Sequence, residues 1–392
     1  MKKSRLLSVL LCLALLSGLL ATFASAADSG SAILDEMDVN AKAAVLVDPD
    51  TGEILYEKNA HAHNYPASIT KVMTCLLTLE AVDRGELSLE QTVTASSALH
   101  TGIGEGASTA DIKEGEQIRI IDLLYAALIP SANEACNVMA EAVSGDVASF
   151  VELMNTRAAE LGMEDTHFVN CTGLPAPGHL TSAYDIALMS RQLLLHHPDI
   201  RQYTTIWTDS IRNGAFGLTN TNRLIRFYDG ATGLKTGFTA SAQYCMSAAA
   251  QRNGMELIAV VMKAPTTAQR FQDASCLLDY GFANYALLTP QPEGPLAPID
   301  VLLGQSKTVQ PQLQRECRLL VEKAQADQIT TRVDLARDVQ APVDPGQTLG
   351  EFQVYVGEQL RDTVPIVAAQ GVERLSVPGL FSQLLRRLLF AG

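Results

Sequence analysis

The alternation of apolar and polar positions divides the chain into stretches of different period. Leu6 to Leu20 is almost wholly apolar, led by Lys2, Lys3 and Arg5 and followed by the small residues Ala24-Ser25-Ala26. A positive start, a short apolar run and a small-residue cleavage site predict an export signal over residues 1–26. Ala41 to Val47 and Glu53 to Tyr56 flank the turn sequence Asp48-Pro49-Asp50-Thr51-Gly52, which predicts a β-hairpin. Ser68 to Val82 has a helical period but is apolar on nearly every side, through Ile69, Val72, Met73, Leu76, Leu77 and Leu79. A helix of that kind is a buried one. Helical patterns run on from Ile121 to about His196, broken by a Gly- and Pro-rich loop at Thr172 to Gly178. Past Gly230 the pattern turns to strands. Tyr244 to Ala250 and Met255 to Met262 flank Arg252-Asn253-Gly254 as a second expected hairpin, and a helix from Thr267 to Tyr280 follows.

Pro290 to Pro298 reads as a linker. Beyond it, Val- and Leu-rich segments alternate with turns such as Asp344-Pro345-Gly346, the pattern of a small all-β domain. In the last segment Leu380, Phe381, Leu384, Leu385, Leu388 and Leu389 fall on one half of a helical wheel, with Arg386 and Arg387 on the other. That pattern suits a helix lying in a membrane surface, its arginines among anionic headgroups. The expected organisation is therefore a signal at 1–26, an α/β domain at 27–289, a β-rich domain at 290–370 and a membrane-association helix at 371–392.

Charge and cysteine usage narrow the classes. The formal net charge is −14, and removing the signal takes three positive charges with it, leaving −17. Such a chain repels nucleic acid, and no Lys/Arg-rich stripe offsets that, so nucleic-acid binding is excluded. Six cysteines follow the signal: Cys75, Cys136, Cys171, Cys245, Cys276 and Cys317. Their long spacings, apolar surroundings and lack of any CxxC favour buried free thiols over a disulfide framework. No metal centre is expected. His61 and His63 form a lone pair in a polar loop, His196-His197 ends a helix, and no HExxH accompanies them, so all four read as solvated. Gly102-Ile103-Gly104-Glu105-Gly106 follows no strand and lacks dinucleotide spacing, so no cofactor is expected either.

Three short motifs carry the candidate chemistry. Ser68-Ile69-Thr70-Lys71 opens the buried helix, where the Ser68 N–H is one of the unsatisfied donors of a helix start and can bind an oxyanion. Lys71 lies one turn on, on the same face. A buried lysine beside another cation can lose its proton near neutral pH and act as a base. Ser131-Ala132-Asn133 falls in a loop between helices, where a hydroxyl and an amide can relay a proton and hold a substrate amide; alone, it reads equally well as a helix cap. Lys235-Thr236-Gly237 precedes the second hairpin. Its glycine permits close backbone approach, and its cation and hydroxyl suit a carboxylate. Alone, it reads as a turn beside a solvated lysine.

Together with Asn170-Cys171-Thr172-Gly173-Leu174-Pro175, Gly178-His179-Leu180-Thr181, Asn220-Thr221-Asn222-Arg223-Leu224, the segment around Gly233 to Thr239 and Ala264-Pro265 through Arg270-Phe271, these motifs make residues 35 to 285 resemble the low-molecular-mass penicillin-binding D,D-carboxypeptidases. The resemblance implies a penicillin-recognising serine enzyme fold, a mainly antiparallel sheet sandwiched by helices, with a small β-rich domain after it. It implies that Ser68 attacks the carbonyl between two D-alanines with Lys71 as base, and that Ser131 passes a proton to the leaving D-alanine. Asn133 would bind the substrate amide, Lys235, Thr236 and Arg270 the terminal carboxylate, and the N–H groups of Ser68 and Phe238 the oxyanion, with Gly237 between. Glu134 departs from the aspartate that often follows the asparagine. The implied partners are peptidoglycan stem peptides outside the cytoplasm and β-lactams as inhibitors.

Other readings compete. A serine β-lactamase shares the motifs but needs a group to activate a deacylating water; Glu152 sits in a helical pattern and reads as a surface residue. A D,D-endopeptidase or transpeptidase would use the same acyl-enzyme. A non-catalytic wall-binding or antibiotic-sensing protein would have no need of all these reactive groups.

Overall fold

The computed structural model describes residues 37–379, 381 and 389. The expected export signal lies outside them, as does most of the expected terminal helix. Of that helix Val377, Phe381 and Leu389 are helical, and their side chains are exposed. The chain divides into two compact units, one of residues up to Val47 with Ile54–Ala250 and Leu257–Asp279, the other of Asp48–Glu53, Gln251–Glu256 and the residues from Tyr280 on.

The first unit is built on a five-stranded sheet. Its early elements are β1 (Ala43–Val47), β2 (Ile54–Lys58), a 3-10 turn at Ala67–Thr70, α1 (Lys71–Asp83), β3 (Thr92–Thr94), β4 (Gln117–Arg119), α2 (Ile120–Leu128), α3 (Asn133–Ser144) and α4 (Val147–Glu160). There follow α5 (Ala183–His196), α6 (Ile200–Thr204), β5 (Thr208–Ile211), β6 (Phe216–Thr219), α7 (Leu224–Phe227), β7 (Ala231–Thr239), β8 (Gln243–Arg252), β9 (Met255–Ala264) and α8 (Thr267–Asn284). The sheet runs β2-β1-β9-β8-β7, with β1 antiparallel to β2 and β9 and β7 antiparallel to β8. Both expected hairpins are present, as is the helix after the second.

The central strands read as apolar runs because both of their faces are covered. β1 is buried along its whole length and β9 nearly so. One face, with Val45, Ile258, Val260 and Met262, packs into a core shared with Val72 and Leu76 of α1, Val138 and Met139 of α3 and Ile186 and Leu193 of α5. Burying each such side chain is worth roughly 1.5–3 kcal/mol. On the other face Ala44 and Leu46 are equally buried, and α8 buries Ala274, Leu277 and Leu278. Asp273 of α8 fastens it to the start of β1 by accepting from the Asn40 and Ala41 N–H groups at 3.2 and 2.8 Å. The result is the mainly antiparallel sheet between helices expected from the sequence.

The second unit is strand-rich. It contains β10 (Tyr285–Leu288), β11 (Ile299–Leu302), β12 (Thr308–Val309), β13 (Pro311–Leu313), β14 (Leu319–Glu322), β15 (Ile329–Leu335), β16 (Asp338–Gln340), β17 (Thr348–Val356) and β18 (Gln359–Ala368). A four-stranded sheet β13-β18-β17-β15 carries Phe352, Val354, Val364 and Ile366 into its core, at alternate positions as the period of two requires.

The six cysteines are free; five are buried and Cys276 is partly exposed. One histidine reading needs correction. His197 is buried, beneath the end of α5, and its Nδ1 lies 3.4 Å from Asp83. His61 and His63 are exposed, as expected, and share the carboxylate of Asp165, at 2.9 and 3.2 Å.

Candidate active site

Ser68 does not open the α-helix, as its sequence suggests, but sits in the 3-10 turn just before it. Ala67 immediately ahead has φ +50°, in the left-handed region that costs an L-residue of the order of 1 kcal/mol or more. Two glycines press on this bend. A methyl group on Gly173 (φ +87°) would lie 1.8 Å from the Ala67 carbonyl oxygen, and one on Gly237 would lie 3.0 Å from Ala67 Cβ and 3.1 Å from Ser68 N. The Ser68 turn is thus clamped between the loop after α4, where only glycine fits, and strand β7, where a methyl group would make a tight contact.

Lys71 is the first residue of α1 and is fully buried. Its Nζ lies 2.9 Å from Ser68 Oγ, 2.8 Å from Asn133 Oδ1 and 2.7 Å from the Thr172 carbonyl oxygen. Burial lowers its pKa. One turn on, Thr74 donates to the Cys171 carbonyl at 2.7 Å, so one face of α1 grips the segment that presents Thr172. Asn170 shapes that segment by accepting from the Thr172 and Gly173 N–H groups. His179 braces it from behind. Its Nδ1 accepts from the Val169 N–H at 2.8 Å, so its proton resides on Nε2 and is donated to Thr70 Oγ1 at 2.9 Å. Burial pushes its pKa down to about 4 and keeps the ring neutral.

The second motif lies between α2 and α3, as expected. Ser131 takes φ +71°, is buried, and its Oγ has no hydrogen-bond partner among the described residues. Such a hydroxyl can both accept and donate a proton within a bound complex. Asn133 opens α3. Its Oδ1 is occupied by Lys71, and its Nδ2 donates to the Ser108 carbonyl at 3.0 Å, leaving one amide hydrogen. Glu134 beside it is buried, and its carboxylate accepts from the Ala110 and Ile112 N–H groups. Asn137, one turn on, donates to the Leu99 and Thr101 carbonyls. This face of α3 therefore holds both ends of the Gly-rich loop after residue 100.

The third motif precedes the second hairpin, as expected, and Lys235-Thr236-Gly237 lies within β7, the edge strand of the sheet, rather than in a turn. Lys235 is buried, and its Nζ donates to the Thr236 carbonyl at 3.0 Å. Its pKa is well below the ordinary lysine value, first through burial and then through repulsion from Lys71. Burial is the main cause of the depression at both lysines, and the repulsion between the two cations opposes protonating both at once. Thr236 Oγ1 bonds Thr221 Oγ1 at 2.6 Å. Arg270 reaches β7 from α8 and donates to the Gly237 and Cys245 carbonyls. Its guanidinium is buried, its Nε has no hydrogen-bond partner among the described residues, and burial pushes its pKa down to about 10. Phe238 stays exposed and packs on Tyr244 at 4.5 Å.

These groups meet at one cavity of about 670 Å³. Ser68, Ser131, Asn133, Thr236, Gly237, Phe238 and Arg270 line it, and Lys71 and Lys235 lie beneath its surface. Thr221, Leu174 and the Gly-rich loop from Gly102 to Ser108 also line it. That loop has no dinucleotide spacing and no motif of its own, and only the tertiary fold brings it to the three motifs. Residues 30–266 match the family model described as D-alanyl-D-alanine carboxypeptidase. The chain belongs to that family. Residues 293–374 match the penicillin-binding protein 5, C-terminal domain. The D-alanyl-D-alanine carboxypeptidase DacF of Bacillus subtilis is 34% identical over 86% of this chain and 87% of its own length. DacD of Escherichia coli, also a carboxypeptidase of the family, is 30% identical over 86% and 87%. Penicillin-binding protein 5 from Haemophilus influenzae superposes with a TM-score of 0.73 at 26% identity, covering 86% of this chain and 98% of that one.

Proposed function

We propose that this chain is a serine D-alanyl-D-alanine carboxypeptidase that removes the terminal D-alanine from peptidoglycan stem peptides outside the cytoplasm and is trapped by penicillins. The observation that carries the reading is the coordination of Lys71. Asn133 Oδ1 and the Thr172 carbonyl can only accept, so they take two N–H groups of the amine. When the amine is neutral, the remaining position is its lone pair, directed at Ser68 Oγ 2.9 Å away. Burial favours that neutral form.

In the cycle this supports, Ser68 Oγ bonds to the carbonyl carbon as its proton passes to Lys71. The oxyanion is held by the Ser68 and Phe238 N–H groups. Collapse breaks the C–N bond as Lys71 passes the proton it took to Ser131, which hands its own to the departing D-alanine nitrogen and leaves Lys71 neutral for the next step. Water then repeats the addition at the ester, and Ser68 leaves as the hydroxyl. Thr236, Arg270 and Lys235 anchor the terminal carboxylate, while Asn133 uses its remaining amide hydrogen on the substrate. In a penicillin the leaving nitrogen stays tethered, so the ester persists. Glu152, on an exposed face of α4, is no candidate for the water-activating carboxylate of a lactamase. The apolar start of the chain and the half-apolar wheel at its end support export followed by attachment to a membrane surface.

Incubation with a peptide ending in D-Ala-D-Ala should release free D-alanine. A penicillin should add to the Ser68 peptide in a mass-spectrometric digest and to no peptide of Ser68→Ala. An adduct elsewhere would sink the assignment of the nucleophile.

A further inference from the structure

Two of the residues lining the cavity carry formal charge. Arg270 is buried against β7, and Glu105 is exposed on the Gly-rich loop. Glu105 stands between Gly104 and Gly106, so neither neighbour has a side chain to cover it. Gly102 and Gly106 take φ +69° and +78°, which turns the loop back on itself at Glu105. The loop is held at both ends by the Asn133, Glu134 and Asn137 bonds from α3, and the Ala107 N–H closes a turn on the Gly104 carbonyl around Glu105. Of the nearby acidic residues Asp111, Glu114 and Glu116, none lines the cavity. Asp111 pairs with Lys113, and Glu116 with Arg212. Glu105 has no hydrogen-bond or ion-pair partner among the described residues.

A carboxylate presented without a partner on a fixed loop, at the wall of a substrate cavity, is a recognition element for a cation. The exposed ring of Phe238, backed by Tyr244, lines the same cavity and offers an apolar surface. An aliphatic arm ending in a primary amine matches both features, with methylenes over the ring and the ammonium at the carboxylate. Resting on the carboxypeptidase reading, we propose that Glu105 is a specificity residue selecting stem peptides that carry a free side-chain amine upstream of the two D-alanines.

The test uses the mature enzyme and two peptides ending in D-Ala-D-Ala, identical except that the upstream amine is free in one and acetylated in the other. A partly solvated ion pair gives a preference of about threefold in kcat/KM for the free amine, shrinking as salt is added. Glu105→Gln should bring the ratio close to one, whereas Glu152→Gln on α4 should leave it unchanged. Equal release of D-alanine from both peptides by the wild type would overturn the inference while leaving the carboxypeptidase reading intact. A preference that survives in Glu105→Gln would also overturn it, since another group would then read the amine. Release from neither peptide would overturn the carboxypeptidase reading, and the inference with it.

Discussion

Acidification tests the account of His179 quantitatively. In the unfolded chain a histidine titrates near 6.5, and in the folded protein burial holds His179 at about 4. Between those values the unfolded state binds the proton and the folded state refuses it, so stability falls as the pH falls. The contribution is complete above about pH 6.5 and gone below about pH 4. At about 1.4 kcal/mol per pH unit, the loss amounts to about 3 kcal/mol. His179→Gln removes the titration while retaining an acceptor for Val169 N–H and a donor for Thr70. Urea unfolding at a series of pH values, followed by fluorescence of Trp207, reports on this unit, because Trp207 is the single tryptophan of the chain. Other titrating groups cancel in the difference between wild type and variant. The wild type should lose about 3 kcal/mol relative to His179→Gln between pH 7 and pH 4. A flat difference curve would refute both the tautomer and the buried, neutral state assigned to His179.

Further outcomes follow from the same geometry. The acylation rate should rise with pH through an inflection below the ordinary lysine value, and Lys71→Arg should fold yet lose acylation by orders of magnitude, read as the rate of labelling by a fluorescent penicillin. Gly237→Ala places a methyl group 3.0 Å from Ala67 and 3.1 Å from Ser68 N, and should slow acylation about 10- to 100-fold with a much smaller change in the urea midpoint. Deleting residues 379–392 should free the mature protein from vesicles of anionic lipid while leaving D-alanine release near wild type; sedimentation of the truncated protein with the vesicles would remove the terminal helix from the account.

The architecture was legible wherever burial imposes a period. The runs of β1 and β9 and the all-round apolar character of α1 mark elements covered on every side. Ser68, Ser131 and Thr236 could be read as a set because each belongs to a short motif. What the sequence conceals is contact between distant segments. Thr172 reaches Lys71 from 101 residues away through a backbone carbonyl, which leaves no mark on side-chain identity. Glu134 looked incidental, yet its carboxylate ties a loop 22 to 24 residues earlier in the chain. The glycine of Lys235-Thr236-Gly237 reads as permitting close approach of a substrate backbone, whereas the approach it permits is that of its own strand to Ser68. His197 looked solvated because a histidine at the end of a helix usually is; the packing beneath α5 decides otherwise.

The six unbridged thiols have a consequence for how the protein withstands oxidants. Cys75, Cys136, Cys171 and Cys245 lie wholly inside the first unit, and burial raises the pKa of each, that of Cys136 to about 11. Folded, they present almost no thiolate and no access, so oxidants have nothing to attack. Unfolded, each returns to a pKa near 8.5 and can pair with any other. Every excursion from the native state then risks a covalent mispairing that refolding cannot undo. The working life of the protein would thus be governed by how rarely it opens, a rate of unfolding, more than by the equilibrium balance between its folded and unfolded forms.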